Sequence, residues 1–127
     1  MKTSAFVAVI AALLLATGTA NAWQRALSFQ EQFLPPKEFD HEYTGALTIF
    51  KDLKSEDLPA GCQKAVAEMK RPDLLPEALA CSTANHFGPD TCAIWIVGKD
   101  IIEYEGWDYD IIMRHEIGHC NGWRHEH

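Results

Sequence analysis

The segment DYDIIMRHEIGHCNGWRHEH, residues 108–127, reads as a helix with signals at both of its ends. Asp108 is an N-cap residue, Asp110 places negative charge in the first turn, and Ile111 and Ile112 begin an apolar stripe. Gly122 ends the helix. Between these ends His115 and His119 stand at i and i+4, so their imidazoles leave one face with Cβ atoms about 5–6 Å apart and can grip one cation. Glu116 is rotated by about 100° from His115, out of the ligand row but beside a water that such a cation would hold.

Two imidazoles do not complete a catalytic zinc site, which generally takes three protein ligands and leaves a fourth position open. Gly122 can adopt φ > 0 and turn the chain sharply, so that His125 swings back to the pair instead of being carried away on an extended helix. His127 competes for the same place, because the terminal RHEH puts both imidazoles within reach.

HEIGHCNGWRH, from His115 to His125, matches the pattern H-E-x-x-H-x-x-G-x-x-H at every specified position, and so resembles the metzincin zinc peptidases. The resemblance implies Zn²⁺ held by His115, His119 and His125, with Glu116 as the catalytic general base and a peptide or protein as substrate. Ala80-Cys81, Cys92-x-Ile94 and the HExxHC run also look like those of small exported bacterial zincin-like proteins, a likeness that points to a family and not to a substrate. Metzincins continue past the third histidine into a Met-containing turn beneath the metal. These 127 residues stop two residues after His125, and Met113 points to another side of the helix, so the floor of the site is expected from elsewhere. Cys120 is i+4 from Glu116, and a disulfide from it to the preceding strands would tie the helix end to a sheet. The favoured pairing is Cys92–Cys120 with Cys62–Cys81.

Upstream, TCAIWIV (91–97) and IIEYEGW (101–107) flank Gly98-Lys99-Asp100 and read as two strands of a hairpin. YTGALTIF (43–50) is rich in β-branched and aromatic residues and reads as another strand. In AGCQKAVAEMK the residues Cys62, Val66 and Met69 make a helical stripe that Pro72 stops, and a second short helix is expected to begin at Pro76 in PEALACSTA. Pro35-Pro36 excludes a continuous helix in the entry segment, which reads as irregular or briefly helical. His41 and His86 lie in polar, loop-like contexts, and Tyr104 and Tyr109 read as amphipathic core-edge residues before a catalytic role.

Residues 1–22 read as a secretory signal peptide: Lys2, an apolar run too short for the roughly 20 residues of a membrane span, then Ala20 and Ala22 at a cleavage site. Residues 23–127 then form one domain, of class α+β, expected as a small zincin-like fold in which a short sheet or hairpin packs on the active-site helix. Its destination is the periplasm or the exterior, with no membrane attachment after cleavage. All four cysteines lie in this part, and an even number in an exported chain reads as disulfides; four allow three pairings. The formal charge of −7, or −8 without Lys2, argues against nucleic-acid binding.

Two functions are open at this stage. One is a small secreted zinc endopeptidase, in which Glu116 takes the proton of a metal-activated water and passes it to the leaving amine. The other is a non-catalytic zinc-binding or interaction module. The acid in HExxH order favours the first, since a structural site gains nothing from it and usually has four ligands with cysteine among them.

Overall fold

The run Thr91–Val97 is apolar nearly throughout because it is the middle strand of a sheet. The computed structural model describes residues 26–67 and 79–125. Within them β1 (Ala46–Leu53), β2 (Ala80–Ala84) and β3 (Thr91–Val97) lie in the order β1-β3-β2, with β1 parallel and β2 antiparallel to β3. Cys92, Ala93, Ile94, Ile96 and Val97 are fully buried. Burying such side chains contributes about 1.5–3 kcal/mol for each large one. The expected signal peptide, Met69, Pro72, Pro76 and His127 lie outside the described residues.

Four α-helices accompany this sheet among the described residues: α1 (Leu27–Glu31), α2 (Ala60–Ala67), α3 (Lys99–Tyr104) and α4 (Tyr109–Cys120). Two disulfides, Cys62–Cys81 and Cys92–Cys120, join α2 to β2 and the end of α4 to β3. The fold class is therefore α+β, with the disulfide pairing the one favoured from the sequence. Such bonds persist where the surroundings are not reducing, as for an exported chain. No helix among the described residues is long and apolar enough to cross a membrane.

The expected hairpin of 91–97 with 101–107 does not form. Both edges of β3 are already taken, by β1 and β2, so a further strand has nowhere to pair. Lys99–Tyr104 instead forms α3 with Gly98 as its N-cap residue; Ile102 turns into the core at 0% exposure while Tyr104 stays 85% exposed. A short run of mixed apolar and acidic residues fits either period, and the pairing of both edges of β3 decides between them. The hairpin is formed by β2 and β3, joined through NHFGPD. Asn85 and Asp90 have φ of 60° and 56° there, and Gly88 has 117°. Asn, Asp and Gly are the residues that tolerate such values. This also corrects the expected helix in PEALACSTA, since Ala80–Ala84 is β2. β1 begins three residues later than expected because its ladder opens with Ala46 N–H donating to Asp90 C=O at 2.9 Å, where β3 begins.

α4 packs on β2 and β3, its Ile112 is buried in the core, and its last residue Cys120 is bonded to Cys92 of β3. The entry segment wraps its other side. Phe33 meets Trp107 edge to face at 5.4 Å, and the Gln30 side chain accepts from Asp108 N–H at 2.6 Å, fixing the chain where α4 starts.

Candidate metal centre

α4 begins as its sequence requires, with Asp108 Oδ1 accepting from Ile111 N–H at 3.1 Å. Its C-terminus is a Schellman turn. Trp123 N–H donates to Gly118 C=O and Gly122 N–H to His119 C=O, each at 3.0 Å, with Gly122 at φ 103°. Only glycine adopts that φ without a Cβ penalty, so Gly122 reverses the chain as expected. The reversal lays the Trp123 indole parallel to the His119 ring, 4.6 Å away with 6° between the planes. It also brings His125 to 4.6 Å from His119 and 5.2 Å from His115, centroid to centroid.

The side chains of His115, His119 and His125 are thus gathered, their candidate ligand atoms all within 4.8 Å of one another. His115 is buried, His119 half-buried and His125 exposed. His115 Nδ1 lies 2.6 Å from Phe33 C=O, and His119 Nδ1 lies 2.8 Å from Trp123 C=O. A carbonyl can only accept, so each Nδ1 carries a proton and each neutral ring is left with a lone pair on Nε2. These two Nε2 atoms face each other at 3.2 Å.

Lone pairs that close repel unless a cation or proton lies between them. Two nitrogens held tetrahedrally at about 2.0–2.1 Å from one zinc ion stand about 3.3–3.4 Å apart, so the pair is already set for a shared metal. The residues present therefore fit a metal ion, and an all-imidazole donor set suits zinc, copper, iron or nickel. Glu116 follows His115 on the helix and is 1% exposed.

The floor of the site is supplied by the entry segment and by Trp123. At Gly118 a Cβ would stand 2.5 Å from Pro35 Cβ and 3.3 Å from Trp123 Cε3, so the missing side chain is what lets both lie against the helix. Further round, Arg114 forms a two-pronged ion pair with Asp40, its Nε donating to Oδ1 at 3.1 Å. That hydrogen bond, aided by the guanidinium charge, holds the Asp40 carboxyl below its ordinary range and raises Arg114 above its own. Asn121 Nδ2 donates to Phe39 C=O at 2.9 Å and to His41 C=O at 2.6 Å, closing the same seam.

His41 and His86 are not part of the cluster. His41 Nδ1 lies 2.9 Å from Glu42 C=O, and His86 packs edge to face on Trp95 at 5.0 Å. Tyr109 packs against the core, as expected of a core-edge residue, whereas Tyr104, read the same way, is exposed at the end of α3. Burial, with Asp52 and Asp110 nearby, raises the Tyr109 phenol above its usual range. The sequence reading missed Phe33 and Trp123. The glycine at 122 signals that residue 123 returns to the helix, but every residue has a carbonyl, so no side-chain signal marks the two that orient the imidazoles. Comparison of the chain with protein-family profiles, curated proteins and solved structures finds no match.

Proposed function

We propose that the chain is a small exported zinc endopeptidase, its metal held by His115, His119 and His125, and that its HExxHxxGxxH run reflects kinship with the metzincins. The observation that carries this reading is the pair of Nε2 atoms facing each other at 3.2 Å with both Nδ1 protons committed to carbonyls. When bound, zinc supplies a Lewis acid that acidifies water toward a pKa of about 7 and polarises a carbonyl. Phe33 and Trp123 hold the two helical rings in one tautomer and orientation. Glu116 takes a proton from the attacking water and returns it to the leaving amine. The N-terminal 22 residues serve as the signal peptide, and the substrate is a protein or peptide backbone, not a nucleic acid. Neutral imidazoles are needed to bind metal, so activity falls as the pH drops through their titration.

The deciding experiment measures zinc content and hydrolysis of a mixed peptide library for the parent and for Glu116→Ala. About one zinc in each, with cleavage by the parent alone and a loss on the order of 10²–10⁴-fold, is the expected result. Zinc in both and cleavage by neither would instead make the chain a non-catalytic zinc-binding module.

A further inference from the structure

We propose that a cleft beside His125 selects the substrate by seating one bulky apolar side chain of an extended peptide; this rests on the peptidase reading above. The cleft has a volume of about 580 Å³ and is lined by Pro36, Glu38, Phe39, Trp123, Arg124 and His125. That volume is within the range of clefts that hold small ligands, about 300–1,000 Å³. It shares His125 with the metal cluster, so a side chain held there keeps its backbone next to the candidate catalytic centre.

The apolar part of the lining is Pro36, Phe39 and Trp123, and the fold sets where the two aromatic rings stand. Trp123 is held by the Schellman turn and by its stack on His119. Phe39 ends a 3₁₀ turn, Lys37–Phe39, and its Cε1 lies 3.9 Å from where a Cβ on Gly122 would stand. Rigid aromatic surfaces lose little freedom when a partner covers them, which makes them good anchors. The rim carries one exposed anion, Glu38, and one exposed cation, Arg124. Opposite charges on one rim favour neither an acidic nor a basic side chain, so selection falls to the apolar walls. A second cavity, of about 280 Å³ along Asp40, His41, Glu42, Arg114 and Ile117, does not include His115, His119 or His125, and its arginine is already paired with Asp40.

The test is a titration of zinc-loaded Glu116→Ala, which binds without cutting, with acetylated and amidated Ala-Ala-X-Ala-Ala peptides. The readouts are the NMR resonance of the Trp123 indole N–H and calorimetry. Peptides with Phe or Leu at X are expected to bind about 10-fold or more tighter than the one with Ala and to shift that resonance, while Glu and Lys at X gain nothing. Adding Phe39→Ala flattens the series with zinc content unchanged. Adding Glu38→Lys, a surface change that spares the walls, makes the peptide with Glu at X bind better than the one with Ala. Equal binding across the series, or an unmoved Trp123 resonance, overturns the subsite even if the parent cuts peptides. Selective binding without cleavage by the parent keeps the subsite and removes the peptidase.

Discussion

At Gly118 the local and tertiary demands on one residue oppose each other. Inside a helix glycine costs about 1 kcal/mol relative to alanine, so Gly118→Ala would stabilise α4 taken alone. In the folded chain the new Cβ would stand 2.5 Å from Pro35 Cβ. Pro35 is buried and sits two residues from the carbonyl that orients His115. Overpacking of this kind costs about 1–3 kcal/mol and outweighs the gain in propensity. Gly118→Ala is therefore expected to melt several degrees lower and to bind zinc more weakly, as read by calorimetry and a competing chelator. An equal or higher melting temperature would show that the entry segment is not seated against α4 as described.

Between elements, the joint of the entry segment with α4 is partly ionic, and its pH dependence has a definite sign. The Asp40 carboxyl, ordinarily titrating near 3.8, is held lower by its hydrogen bond to Arg114. A carboxyl with a depressed folded-state pKa contributes stability above its ordinary pKa and loses that contribution as the pH falls through the depressed value. The Arg114 side chain is 48% exposed, so solvent screens the pair and its worth is about 0.5–1 kcal/mol. Asp40→Asn is expected to lower the stability at neutral pH by that amount. Its deficit against the parent should shrink below pH about 4 and vanish once the parent's Asp40 is protonated, which paired calorimetric melts across pH would follow. A gap that stayed constant into acid would assign the effect to packing instead.

For the whole molecule, the small core is held by two covalent ties, and one of them bears on the candidate centre. Cys92–Cys120 spans 28 residues and fastens the end of α4, next to His119, to the buried middle strand. Removing a native disulfide from a small domain typically costs about 2–5 kcal/mol. The Cys92→Ala/Cys120→Ala pair should therefore fall well below the parent in stability and in zinc affinity. Cys62→Ala/Cys81→Ala, whose bond joins α2 to β2, should lower stability with a smaller effect on zinc. Equal zinc affinities in the two double variants would mean that the metal site does not depend on its tether to the sheet.

The sequence by itself determined what depends on near neighbours. α4, its Asp108 cap, its end at Gly122 and the return of His125 to the i, i+4 pair were legible because spacing, capping and φ > 0 are local properties. The strand character of 91–97 was legible from its apolar, β-branched run, and the disulfide pairing was favoured, among three, from the place of Cys120 at the helix end. Only the tertiary structure decided that residues 99–104 are helical, that NHFGPD is the hairpin turn and that Phe33 and Trp123 orient the imidazoles. Those outcomes depend on which backbone groups are already paired and which carbonyls lie within reach. Every residue carries the same N–H and C=O, proline's missing N–H aside, so such choices leave little mark in the order of side chains.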